Sequence, residues 1–201
     1  QMTLTALITG GAGGLARAML EALSEDGVTC VAADRDPLAL ERLKSEKPGV
    51  LTTVADVANS ETCAASVAYA MKETGRLDLL INNAGISGAE EMVVDMTRAD
   101  WDRTMEANLI SNYSLIRKFS PAMKAGGRGS ILNVSSYFGG EKYVAVAYPN
   151  RADYAVSKAG QRVLAEILSR YLGPEIQINA LAPGPVDGAR LRGSAQAPGL
   201  F

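Results

Sequence analysis

Tyr154 and Lys158 are the residues with which this sequence could move protons. They are spaced i and i+4 and open an apolar-periodic run of Val163, Leu164, Ile167, Leu168 and Tyr171. On a helix such a pair shares one face, about one turn apart. An ammonium held beside a phenol favours the phenolate, which suits the phenol to acid or base work near neutral pH. The chain has no histidine, so proton chemistry falls to Tyr, Lys or carboxylates. Tyr-x-x-x-Lys is also a common surface pair, and the spacing gains meaning only if other segments build a site around it.

Composition sets the frame for such a site. The 201 residues suit one domain spanning 1–201, large enough for a substantial core. Hydrophobic residues at 47% and charged residues at 21% describe an ordinary soluble globular chain. The net charge of −2, without a basic block, argues against a nucleic-acid partner. No apolar run approaches the roughly 20 residues that span a bilayer, and the first residues lack the basic region of a signal peptide. A cytoplasmic protein without a membrane partner is expected. Cys30 and Cys63 fall in a predicted strand and helix and are expected to be buried, reduced thiols. Few ligands remain for a transition metal, and no metal site is expected. The initial Gln predicts a piece of a longer chain.

The elements that must position the pair alternate strictly. Strands are predicted at Thr3–Thr9, Val28–Ala33, Val50–Ala55, Leu77–Ile81, Ser130–Val134 and Ile176–Leu181. Helices are predicted at Leu15–Leu23, Leu38–Leu43, Ser60–Thr74 and Ala99–Met123, and again around Tyr154 and Lys158. Near-continuous apolar strands joined through helices give an α/β fold, a doubly wound parallel sheet with helices on both faces. In such sheets ligands sit beyond the carboxyl ends of the strands. Gly10, Asp34, Asp56, Asn83, Ser136 and Pro183 all lie at those ends. Gly10-Gly11-Ala12-Gly13-Gly14 between a strand and a helix fits a phosphate-binding turn. Asp34, about 20 residues beyond it, stands where a dinucleotide fold binds adenosine ribose hydroxyls. Asn82 and Asn83 could tie neighbouring turns together, and Asn108 inside a helix needs partners.

With these residues in place the chain resembles the short-chain dehydrogenase/reductase family. Thr9-Gly10-x-x-x-Gly14-x-Ala16, Asn82-Asn83-Ala84-Gly85, Asn108, Asn133-Val134-Ser135-Ser136, Tyr154-x-x-x-Lys158 and Pro183-Gly184 match its motifs in order. Ala16 replaces the last glycine of the first motif. The interval from Ser136 to Tyr154 is longer than usual, so Gly139–Asp153 reads as an insertion beside the site. The chain stops soon after the sixth strand, where the family carries a seventh strand and a substrate lid. A narrower group, the reductase modules of the bacterial malonyl-CoA reductases, is similar over Ala107–Ser114, Asn133–Lys142, Tyr148–Gln161 and Leu172–Arg192.

The resemblance implies hydride transfer from a reduced nicotinamide to a carbonyl carbon. It assigns catalysis to Asn108, Ser136, Tyr154 and Lys158, with Ser135 the alternative serine. Ser136 and Tyr154 would meet the carbonyl oxygen, Lys158 would also hold the nicotinamide ribose, and Asn108 would position a relay water. Cofactor contacts are implied for Thr9, Gly10, Gly14, Leu15, Asp34, Arg35, Asp56, Val57, Asn83, Ala84, Gly85, Tyr154, Lys158, Pro183, Gly184 and Val186. Asp34 suits NAD(H), whereas Arg35 and the narrower resemblance favour NADP(H), which is preferred by a small margin. The expected substrate is the thioester of malonyl-CoA, bound through its carboxylate by Arg151, or else by Arg190 or Arg192. The alternatives are a reductase of a 3-oxoacyl thioester or of malonate semialdehyde, and a non-catalytic dinucleotide-binding scaffold. A homodimer or a tandem module is expected, by the same resemblance.

Overall fold

The computed structural model describes residues 3–140 and 142–187. Six strands form one sheet: β1 (Thr5–Thr9), β2 (Thr29–Asp34), β3 (Leu51–Val54), β4 (Leu79–Asn82), β5 (Gly129–Val134) and β6 (Ile176–Leu181). Their order is β3-β2-β1-β4-β5-β6, and every pairing is parallel. The chain winds outward from β1 to β3 and then restarts at β4 on the other side of β1. The crevice between β1 and β4 is therefore the point where such a fold opens a ligand site.

Residues alternate between two cores, as a sheet covered on both faces requires. Ala6, Ile8, Cys30 and Ala32 pack on one face with Ala16 and Leu20 of α1 (Gly14–Glu25) and Leu40 and Leu43 of α2 (Pro37–Glu46). Leu7, Val31, Leu80 and Ile131 pack on the other. That second core takes Cys63 and Ala70 from α3 (Ser60–Thr74), and Leu115, Phe119 and Met123 from α5 (Ser111–Ala125). Ala165 and Leu172 from α7 (Ala152–Leu172) complete it. The helix ends follow local chemistry. The Asp36 carboxylate accepts from Leu38 N–H and Ala39 N–H, with Pro37 in the first turn of α2. Gly75 ends α3 in the left-handed conformation at φ 73°.

Three segments depart from the expectation. The predicted helix Ala99–Met123 is α4 (Arg98–Met105), a π turn (Glu106–Ile110) and then α5. The stretch after Ser136, which includes the expected insertion Gly139–Asp153, holds a 3-10 turn (Tyr137–Gly139), α6 (Lys142–Ala147) and a second 3-10 turn (Pro149–Arg151). The apolar run on α7 divides: Leu164 and Leu168 pack on the core, while Val163, Ile167 and Tyr171 are exposed. Both thiols are buried and free. Burial raises Cys30, and burial with the nearby Asp56 charge pushes Cys63 up to about 11. Among the described residues no cluster suits a metal ion and no helix is long and apolar enough to cross a membrane.

Candidate active site

The glycine turn between β1 and α1 is shaped by close approach on one side and open space on the other. Gly10 has φ 61°, and a Cβ there would meet Ala84 Cα at 3.0 Å. A Cβ on Gly11 would meet Ala32 Cβ at 2.6 Å. At Gly14 a Cβ would meet nothing within 4 Å. Helix α1 begins there without a side-chain cap and without an acid in its first turn. Its free N–H groups and positive dipole end thus face room for a pyrophosphate. Thr9 and Asn83 lock this turn to β4, as the sequence suggested. Asn83 N–H and Ala84 N–H both donate to Thr9 Oγ1 at 3.1 Å, and Asn83 Nδ2 donates to the Thr9 carbonyl at 3.0 Å.

Asp34 ends β2 with its carboxylate already engaged. Oδ2 accepts from Ala12 N–H and Oδ1 from Asp36 N–H, both at 3.1 Å, while Arg35 is exposed. Asp56 and Val57 follow β3, with Asp56 exposed and Val57 packed against the core. Leu15 is partly buried at the start of α1. Pro183, Gly184 and Val186 follow β6, and Pro183 accepts from Tyr137 N–H at 3.0 Å. These groups could hold a dinucleotide along the ends of β1, β2 and β6.

The four candidate catalytic residues lie together beyond β4 and β5. Lys158 is buried, 4% exposed, and its Nζ donates to the Val134 carbonyl at 2.8 Å. That ammonium lies 5.8 Å from the centre of the Tyr154 ring. The same ring meets Phe138 edge-on at 5.6 Å. The two serines have different surroundings. Ser135 Oγ donates to the Lys158 carbonyl at 2.6 Å, whereas Ser136 Oγ accepts from Phe138 N–H at 3.3 Å. Ser136 thus retains a proton to donate, and Ser135 is committed to holding α7. A Cβ on Gly85 would lie 3.0 Å from Asn108 Oδ1 and 3.5 Å from Lys158 Nζ. Glycine therefore lets the strand-end turn sit against both groups. Tyr137 stands nearby, its phenol raised by burial and by Tyr148 and Tyr154, against the pull of Arg151.

Asn108 is fully buried in the π turn, and its side-chain oxygen and nitrogen are both engaged. Its Oδ1 accepts from Ile86 N–H at 2.8 Å. Its Nδ2 donates to the Ile86 carbonyl and to Ser157 Oγ, both at 3.0 Å. Its backbone carbonyl accepts from Gln161 Nε2. Arg151 Nη2 pairs with Glu90 at 2.9 Å, and its Nη1 donates to the Ser87 carbonyl at 3.1 Å. Arg190 and Arg192 lie outside the described residues.

The sequence reading missed Asp153, which is fully buried immediately before Tyr154. Its carboxylate accepts from Thr104 Oγ1 at 2.7 Å, Ala89 N–H at 3.1 Å and Tyr154 N–H at 2.7 Å. It joins α4, the loop after β4 and the start of α7. The available signal was a short acid at the head of a helix, which on its own suggests only a favourable dipole position.

The sequence profile of the short chain dehydrogenases matches residues 4–198. The chain belongs to the short-chain dehydrogenase family. It is therefore an NAD(P)-dependent oxidoreductase of the short-chain dehydrogenase/reductase type, using a dinucleotide and a small-molecule substrate. It is 30% identical over 190 residues to the 3-oxoacyl-(acyl-carrier-protein) reductase FabG of Staphylococcus aureus strain Mu50, covering 92% of this chain and 75% of that one. It is 52% identical to the C-domain of a bacterial malonyl-CoA reductase crystallised with NADP, at a TM-score of 0.88. That match covers 98% of this short-chain dehydrogenase but 32% of the other chain. An NAD+-bound xylitol dehydrogenase is 27% identical at a TM-score of 0.89, covering 98% of this chain and 76% of its own.

Proposed function

We propose that residues 1–201 form one reductase domain of a longer polypeptide and reduce the thioester of malonyl-CoA to malonate semialdehyde and CoA, using NADPH. The observation that carries this reading is the 52% identity to the malonyl-CoA reductase C-domain across 98% of this chain. The same neighbour supports NADP(H) over NAD(H), as does the placement of Asp34, whose two oxygens already serve backbone N–H groups while Arg35 is free to meet a 2′-phosphate.

The bound cofactor supplies a hydride to the thioester carbon. The chain's own groups manage the charge that results. Ser136 donates to the carbonyl oxygen, and the Tyr154 phenol stabilises the oxyanion beside it, a preorganised donor pair of the kind that lowers such barriers. Lys158 holds its positive charge near that phenol and against the ribose side of the site. Collapse of the tetrahedral oxyanion reforms the carbonyl as an aldehyde and expels CoA as the thiolate, which takes up a proton. The malonyl carboxylate replaces Glu90 on Arg151. This exchange of one carboxylate for another keeps a buried guanidinium paired.

Arg151→Ala tests the substrate. With NADPH oxidation as readout, KM for malonyl-CoA should rise at least about tenfold, while KM for acetoacetyl-CoA, which has no free carboxylate, should stay near its original value. Equal effects on both substrates would remove the carboxylate assignment. The FabG relatives favour a second reading, reduction of a 3-oxoacyl thioester. Faster turnover of acetoacetyl-CoA than of malonyl-CoA by the unmodified protein would select it.

A further inference from the structure

We infer that Gln161 is a positioning residue for the reacting pair, its side-chain amide tying the Lys158 ammonium directly to the backbone carbonyl of Asn108. The inference rests on the reading of Tyr154 and Lys158 as the proton-handling groups. Gln161 follows Lys158 by three positions on α7 and is fully buried. A buried primary amide without partners is unfavourable, so its neighbours decide what it does. Its Oε1 accepts from Lys158 Nζ at 3.3 Å, and its Nε2 donates to the Asn108 carbonyl.

Chemistry fixes which way the amide points. An ammonium can only donate and a backbone carbonyl can only accept, so one orientation satisfies both ends and the flipped one satisfies neither. The π turn supplies the acceptor. Ser111 N–H reaches back five residues to the Glu106 carbonyl, and this wider turn displaces backbone groups from the regular helical ladder. The backbone of Gln161 is fixed from the other side. Its carbonyl accepts from Asn133 Nδ2 at 3.2 Å, and Asn133 Oδ1 accepts from Asn82 Nδ2 at 2.9 Å. Lys158 is thereby referenced to β4, β5 and the π turn at once. The connection between Asn108 and the ammonium is one side chain with a hydrogen bond at each end.

Titratable groups near the pair include Tyr137 and Tyr148 from the stretch between β5 and α7, and Arg151 and Asp153 at the head of α7, with Glu90 on Arg151. They stay unchanged in the variants that test the idea. Gln161→Glu keeps an acceptor for Lys158, loses the donor to Asn108 and sets a negative charge against the ammonium. The phenol then feels less positive charge and keeps its proton to higher pH. Gln161→Met keeps the length and removes both hydrogen bonds.

The experiment measures NADPH oxidation by the full polypeptide with malonyl-CoA and with acetoacetyl-CoA, and the NADPH dissociation constant by fluorescence. In Gln161→Glu the alkaline limb of the kcat profile should move upward by about one pH unit. In Gln161→Met kcat should fall at least about tenfold, a part of the 10²–10⁴ that general acid catalysis supplies. Dissociation constants for NADPH should stay within about threefold in both. Wild-type kcat and pH profile in both variants overturn the inference. If Gln161→Met does not fold, the isosteric Gln161→Glu decides alone through its pH profile. Tyr154→Phe is measured alongside. Loss of turnover there with unaltered Gln161 variants removes only the role of Gln161, whereas retained turnover in Tyr154→Phe removes the reading beneath it.

Discussion

The phenol of Tyr154 can be taken away without disturbing what packs around it. Tyr154→Phe keeps the ring that meets Phe138 edge-on. We expect kcat to fall by about 10²–10⁴, with the NADPH dissociation constant nearly unchanged; turnover near the original rate would contradict the mechanism. The adjacent serines separate in the same way. Ser136→Ala should lower kcat, with a small loss of stability from the hydrogen bond that Phe138 N–H gives up. Ser135→Ala removes the hydrogen bond to the Lys158 carbonyl and should lower stability by about 1 kcal/mol, read from urea unfolding, with a smaller effect on kcat. Tyr154 and Lys158 were legible by residue type and spacing, and Ser136 only through the family resemblance. Gln161 and Asp153 were not, because each takes its meaning from groups distant in sequence. Gln161 meets the carbonyl of Asn108, and Asp153 meets Thr104 on another helix. The ion pair of Arg151 with Glu90 was hidden for the same reason.

At the scale of elements, the strands were readable because burial on both faces leaves them almost wholly apolar. Helix α3 has the predicted ends because Gly75 marks its C-terminus. The π turn at Glu106–Ile110 was invisible: one extra residue per turn leaves the apolar pattern of α4 and α5 looking continuous. The sheet edge opposite the site carries its own test. Asp78 accepts from Thr5 N–H at 2.9 Å and forms a forked pair with Arg76, joining the starts of β1 and β4. Burial pushes its carboxyl up, but the hydrogen bonds from Arg76 and Thr5 and the charges of Arg76 and Arg128 hold it below the usual range. The folded state therefore binds this proton less tightly than the unfolded chain. The stability it contributes is complete above about pH 4 and is lost as pH falls through the folded value. Asp78→Asn should cost about 1–3 kcal/mol at pH 7 and much less at pH 3 by urea unfolding. An equal difference at both pH values would dissociate this carboxylate from acid sensitivity.

At the scale of the whole molecule, the described residues leave an apolar stripe uncovered along α7. Val163, Ile167 and Tyr171 recur every fourth residue along α7 and are 51%, 64% and 74% exposed. Tyr113 and Ile110 lie exposed on α5 and the π turn, and Lys124 of α5 stands 5.5 Å over the Tyr171 ring. A contiguous apolar stripe of this kind marks a surface meant to be covered. The homodimer that the family resemblance implies would cover it with a second copy of the chain, and both helices also carry the site on their inner sides. Asn108 joins α4 to α5, and Tyr154, Lys158 and Gln161 lie on α7. Pressing two such helix pairs together would brace the frame that holds the ammonium. Ile167→Glu places a charge in the middle of the stripe without touching the core. Light scattering on the full polypeptide at micromolar concentration should then report half the original mass, with a lower kcat and an intact fold by circular dichroism. An unchanged mass would mean that this face does not join two copies.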